Sequence, residues 1–383
     1  SWFLVLSSFF FVLCIYTFNS SRIVAPLLVV SLLLIFRKRL LTMKKEVVVA
    51  GCAALLLLLP TAHFLVSPQA GLRFKEVNIF SDSKLIERSN QEIKYDNDAF
   101  YSKVLHNRRL IYGVEFLKHY FDHFNPHFLF IAGDGNPKFS TQDVGQLYLI
   151  ELPFLIVGVF LLFKRKEGWW FILPLWLLLA IIPAGVARET PHALRIEGSL
   201  PVWHILTAYG FVQILLGINN QKLRIRSISI SLRKTFLITN IALVCISIFY
   251  FQYNYYTHYK REYSGEWQYG YRDMIGFLTQ HQKEYDTIYI TEQWGRPYMY
   301  YLFYTGLQPS EFRKTASIKR DTFGFVHVEK IGKYHFQNIS QQERDREGKV
   351  LYVDISKKVP DNAKRLKTFF LLNNEPIFTA YTK

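Results

Sequence analysis

Cysteine is scarce in this 383-residue chain, which holds three: Cys14, Cys52 and Cys245. None forms a CxxC pair or has a histidine at ligand spacing, so neither a disulfide framework nor a zinc site is indicated. All three lie inside apolar runs, where a thiol acts as a small hydrophobe. An initiator methionine is also missing, and Trp2-Phe3-Leu4-Val5-Leu6 is already apolar, without the charged n-region and small-residue cleavage site of a signal peptide. The expectation is a fragment that lacks its upstream part. There is no internal repeat of the kind that marks transporters with inverted halves.

What the sequence has in abundance is apolar surface, with 50% hydrophobic and 17% aromatic residues arranged in blocks. That is membrane-protein composition. Apolar runs at about 2–18, 23–36, 47–66, 145–163, 169–186, 201–218 and 235–253 each read as a membrane helix, for which ~20 residues suffice. The second is short. The fold expected is an α-helical polytopic membrane protein of about seven transmembrane helices over residues 1–253, followed by a small α/β domain over 254–383.

The net charge of +16 is concentrated beside these runs. Arg37, Lys38, Arg39, Lys44 and Lys45 follow the second run; Lys164, Arg165 and Lys166 follow the fourth; Lys222, Arg224, Arg226, Arg233 and Lys234 follow the sixth. Short basic connections resist translocation, which puts these three in the cytoplasm and residues 67–144, 187–200 and everything after 254 outside the plasma membrane. Membrane lipids thereby account for the basicity, and nucleic acid is not needed as a partner.

The external connections carry the candidate chemistry. Ile111 to Phe124 has helical spacing and stops at Asn125-Pro126. His119 and His123 stand four apart on it, but without a carboxylate motif such as HExxH a solvated face is a plainer reading than a metal pair. Asp134, in Gly133-Asp134-Gly135-Asn136-Pro137, is a turn residue or a site residue. Glu151 lies in an apolar run near its external end, where an ionisable group is functional or is paired with a cation such as arginine.

The segment Arg188 to Pro201 holds Arg188, Glu189, His192, Arg195 and Glu197, more charge than a turn requires. Arg195 and Arg22 sit at external ends of membrane runs, and arginine's planar fork suits a phosphate. Arg22 and Arg195, with His192 beside the latter, are therefore expected either to meet an anionic group or, as favoured for Arg188, to snorkel to headgroups. Glu197 either orients Arg195 or is a solvated carboxylate.

Past residue 254, strands are expected at 287–291, 325–329, 350–355, 368–372 and 377–381, with helices at 269–282 and 297–304. No phosphate loop or nucleophile elbow occurs there, so catalysis is not expected in this part. The aromatics of residues 250–267 fit an interfacial belt, or surfaces for stacking on sugars.

Three stretches together resemble bacterial membrane glycosyltransferases of the GT-C superfamily, related to the protein O-mannosyltransferases and aminoarabinose transferases. They are Tyr16-Thr17-Phe18-Asn19-Ser20-Ser21-Arg22 with Pro26-Leu27-Leu28; Asn125 through Phe128-Leu129-Phe130, Gly133-Asp134 and Gly145 to Glu151-Leu152-Pro153-Phe154; and Pro191-His192-Ala193-Leu194-Arg195 with Pro201. The resemblance implies transfer of a sugar from a polyprenyl-phosphate carrier to a protein, lipid or glycan acceptor at the outer face of the cytoplasmic membrane, with Arg22, His192 and Arg195 expected to bind the donor phosphate. It implies no covalently bound cofactor and leaves a divalent metal open. The acidic pair of the family's first external loop has no counterpart, so the resemblance places the catalytic base upstream of Ser1. The rival expectations are a polytopic transporter or exporter of an anionic solute or glycan, and a membrane-anchored module that recognises a cell-surface glycan.

Overall fold

The computed structural model describes residues 2–218, 222–225, 228–321, 325–344 and 347–383. The chain divides into two compact units, Ser1–Phe251 and Gln252–Lys383.

The first unit opens with α1 (Trp2–Thr17) and α2 (Ser21–Ile35), a short α3 (Arg37–Leu41) and α4 (Lys44–Leu65). The connection that follows is largely helical, as α5 (Pro68–Val77), α6 (Ser83–Tyr95), α7 (Phe100–Leu105) and α8 (Arg108–Asp122). Asn107 starts α8 by accepting the Arg109 N–H, which satisfies one of the donors left over at a helix start. Then come α9 (Leu152–Arg165), α10 (Ile172–Gly185), α11 (Ala193–Ile196) and α12 (Leu200–Gly217), a hairpin of β1 (Lys222–Ile225) and β2 (Ile228–Ser231), and α13 (Leu232–Asn254). Arg226, one of the basic residues of that last connection, lies outside the described residues.

Each apolar run forms helix, though helices of membrane-spanning length number fewer among the described residues than the seven expected. Among the described residues three helices are long and apolar enough to cross a bilayer: Lys44–Phe64, Ala193–Gly217 and Leu232–Glu262. α9 and α10 have 14 residues each, about 21 Å at the α-helical rise, short of a ~30 Å hydrocarbon core. The run at 145–163 loses its first turns because Glu151 folds back to accept the Tyr148 N–H, and regular helix begins only at Leu152. The outer faces of the long helices stay apolar: Leu55, Leu56 and Leu59 on α4 and Ile241 and Ile246 on α13 are all exposed. Exposed apolar surface on helices of this length is compatible with membrane association.

α9 and α12 cross with their backbones in contact. A Cβ added to Gly158 would fall 2.0 Å from the Leu206 carbonyl oxygen, and one added to Gly210 would fall 1.9 Å from that of Phe154. Only glycine permits this backbone approach, the packing device of helix pairs in lipid. Around the crossing, Phe128, Leu129, Leu155, Ile181, Trp203 and Leu206 form one core, joining α9, α10 and α12 to the π-helical turn His127–Ile131.

The second unit begins with a π-helical turn, Tyr255–Tyr259, and α14 (Lys260–Glu262). Trp267 donates to the Tyr259 hydroxyl at 2.8 Å, so part of the aromatic stretch is packed on itself. α15 (Tyr271–His281), β3 (Thr287–Ile290), α16 (Pro297–Thr305), α17 (Pro309–Thr315), β4 (Ala316–Arg320), β5 (Val326–Ile331), β6 (Tyr334–Phe336), α18 (Gln341–Arg344), β7 (Val350–Ile355), β8 (Lys364–Phe370) and β9 (Pro376–Thr382) follow. The strands form one seven-stranded sheet in the order β4-β5-β6-β3-β7-β9-β8. β3 is parallel to β6 and β7, and the remaining pairs are antiparallel. Alternation along β3 sends Ile288 and Ile290 to the core that also holds Met274, Leu278 and Tyr301. Tyr289 points the other way, in register with Tyr352, which pairs with Tyr381, and the three rings stack across the sheet.

Candidate functional site

Two segments far apart in sequence build the site within the first unit. The tip between α10 and α12 is anchored first by its backbone: Ile79 N–H donates to Val186 O at 2.9 Å and Arg188 N–H to Val77 O at 2.8 Å. The Arg188 guanidinium then donates to the Asn78 carbonyl at 2.9 Å. Through Nε, Arg188 thus ties the tip to the loop, a contact that its expected headgroup role did not include.

The two histidines of α8 continue the anchoring, and they do not lie on a solvated face. Both are buried. His119 donates through Nδ1 to Ala187 O at 2.7 Å, its Nε2 lies 2.9 Å from a Glu115 carboxylate oxygen, and its carbonyl accepts the Thr190 hydroxyl at 3.1 Å. His123 donates through Nδ1 to the His119 carbonyl at 2.8 Å and accepts the His192 N–H at Nε2, 3.0 Å away. That pair of bonds needs the neutral ring with its proton on Nδ1. Burial first, and the nearby Arg195 charge second, push the His123 pKa down, against the opposing pull of the His119 carbonyl and Asp122.

Asp134 completes the clamp. It is buried, and one carboxylate oxygen closes the local turn by accepting the Asn136 N–H at 2.8 Å. The other accepts the Ala193 N–H at 2.7 Å and lies 3.6 Å from His192 Nδ1. A residue from a distant loop thus supplies the oxygen that caps α11, a task usually done by the residue just before a helix. The turn expected at Asp134 is thus present, and its second carboxylate oxygen ties that turn to the start of α11. The His192 ring packs at a tilt against Phe139, 4.6 Å between centroids.

The clamp leaves Arg195 turned to two adjoining cavities. One, of about 320 Å³, is lined by Asn19, Ser20, Arg22, Asn78, Phe139, His192 and Arg195. The second, of about 460 Å³, is lined by Ser20, Ser21, Leu194, Arg195, Glu197 and Gly198. Arg195 Nη1 also donates to the Glu189 carbonyl at 3.1 Å. Arg22, at the start of α2, lies over the Phe64 ring at 5.2 Å and donates from Nε to Ile15 O at 3.5 Å. So Arg22, His192 and Arg195 share one cavity, and Glu197 is an exposed carboxylate at the rim of the other.

Glu151 lies elsewhere. Its carboxylate accepts the Tyr148 N–H at 3.0 Å and lies 3.4 Å from His204 Nδ1, so its partners are its own turn and a histidine of α12, not an arginine. Sequence reasoning missed Asn78 and Phe139 as lining residues, and neither carries a local signal for the role. Among the described residues no group of three or more His, Cys, Asp or Glu side chains is placed to hold a metal. No family model, no curated protein and no solved structure matches the chain.

Proposed function

We propose that the chain is the donor-binding part of a membrane glycosyltransferase that takes a sugar from a polyprenyl phosphate. One observation carries the reading: Arg22 and Arg195, from opposite ends of the first unit's sequence, line one cavity with His192, at the ends of apolar helices. A phosphate on an apolar carrier is the ligand such a place fits. It presents two guanidinium forks to an anion at the edge of an apolar layer. The motif resemblance supports the same choice.

In this reading the acceptor hydroxyl attacks the anomeric carbon, the bond from that carbon to the phosphate oxygen breaks with its electron pair leaving on the polyprenyl phosphate, and the hydroxyl proton ends on that phosphate or in solvent. The arginines stabilise the charge developing on that oxygen. Removing one such donor costs about 2.7–4 kcal/mol, or 10²–10³ in rate. His192 adds a hydrogen bond, and no residue of the cavity is assigned as the general base. We further propose that the helices of 14 to 16 residues pack within the membrane against the three long ones, that the basic connections face the cytoplasm, and that the cavity and the second unit face outward.

A carrier of anionic solutes is the rival that a charged cavity also fits. In the full-length protein, Arg195→Ala is expected to abolish sugar transfer with membrane insertion intact, and Arg195→Lys to rescue it only in part, because lysine keeps the charge and loses the fork. Near-normal turnover in Arg195→Ala, or solute flux without transfer, overturns the proposal.

A further inference from the structure

We propose that the groove between α1, α2 and α4 is a binding site for an anionic phospholipid, with an acyl chain along the helices and the phosphate on the basic corner formed by α3 and the start of α4. The groove has a volume of about 680 Å³ and is apolar through most of its length, where Val12, Ala25, Val29, Leu32, Ala54 and Leu58 line it. One end is different. There Arg39 lines the wall beside Leu40 and Met43, and Arg37 and Lys38 of α3 and Lys44 and Lys45 of the first turn of α4 are exposed.

Among the described residues these five cations have no side-chain hydrogen bond or ion pair, and Glu46 is the one carboxylate within α1 to α4. An occupant must therefore bring a long apolar part and an anionic end. A soluble anion leaves the apolar length unfilled, and a further apolar helix leaves the cations unanswered. An anionic phospholipid answers both, because juxtamembrane cations attract such headgroups. The wall also includes α4, which is long and apolar enough to cross a bilayer.

The site is distinct from the cavity of Arg22, His192 and Arg195, with which it shares no lining residue. The inference rests on the bundle lying in a membrane and not on sugar transfer, so failure of the transfer assay leaves it standing.

The test places the full-length protein in phosphatidylcholine nanodiscs containing a minor fraction of photoreactive phosphatidylglycerol or, in parallel, photoreactive phosphatidylcholine. Cross-linked peptides are then mapped. The expected result is several-fold more labelling of α1, α2 and α4 by the anionic probe, competed by unlabelled phosphatidylglycerol, lowered several-fold by Arg39→Glu and unchanged by Lys164→Glu. If Arg39→Glu does not accumulate, competition in the wild-type protein decides. Equal labelling by both probes, competition by polyprenyl phosphate but not by phosphatidylglycerol, or a groove that neither lipid labels because polypeptide fills it, overturns the proposal.

Discussion

Replacing Asp134 by alanine removes a buried carboxylate that links the loop after α8 to the start of α11. Its carboxylate accepts two backbone N–H groups, at 2.7 Å from Ala193 and 2.8 Å from Asn136. Hydrogen bonds to a charged acceptor contribute about 1.5–3 kcal/mol each. The Asn136 bond closes a local turn that water can partly replace, whereas the Ala193 N–H loses its partner inside a buried clamp. The tip should therefore undock more easily by about 2–3 kcal/mol, which corresponds to roughly 30- to 150-fold faster local opening. Amide hydrogen exchange of residues 192–194 in nanodiscs reads this directly. Asp134→Asn keeps one acceptor oxygen and should give a smaller rise, and Glu197→Ala, on an exposed side chain, should give none. Wild-type exchange at these amides in Asp134→Ala would refute the clamp.

Two further outcomes follow from the same geometry. His123 is held neutral below the ordinary histidine pKa of 6.5 by burial, so the unfolded chain takes up its proton first as pH falls. Stability should be insensitive to His123 above pH 6.5, fall by up to ~1.4 kcal/mol per pH unit below it, and level off once the folded pKa is passed. Thermal unfolding of wild type and His123→Gln across this range checks the sign, and parallel curves would contradict it. Gly210→Val should separate α9 from α12, because the added Cβ meets the Phe154 carbonyl at 1.9 Å. A loss of at least ~2 kcal/mol in unfolding free energy is expected, and an unchanged unfolding midpoint would show that the close crossing does not hold the pair.

Hydrophobic periodicity located the helices because apolar blocks are local in sequence. Their lengths were harder to read, since the start of α9 is decided by Glu151 bonding back to Tyr148, a choice apolarity does not encode. The short β6 escaped notice for a related reason. Three residues carry little pattern, and Tyr334–Phe336 is extended because β3 and β5 pair with it on either side.

The site shows the same division. Arg22, His192 and Arg195 stood out as too much charge for helix ends, and the structure gives them a common cavity. The spacing of His119 and His123 was visible, but their burial was not, since it depends on a tip 68 or more residues away folding over them. For Asp134 the turn was legible in Gly133-Asp134-Gly135, while the bond to Ala193, 59 residues on, is a tertiary fact. The bond from Arg188 to the Asn78 carbonyl was not legible, because a cation at a helix end gives the same signal whether it meets a headgroup or a backbone oxygen.

The most direct measurement is the affinity of the full-length protein, in phosphatidylcholine nanodiscs, for polyprenyl phosphate without its sugar. Arg22→Ala and Arg195→Ala are each predicted to weaken binding at least about tenfold, the loss of roughly 1.4 kcal/mol from one charge-assisted contact, while Glu151→Gln leaves it unchanged. Affinity independent of both arginines would contradict the assignment of this cavity to a lipid phosphate.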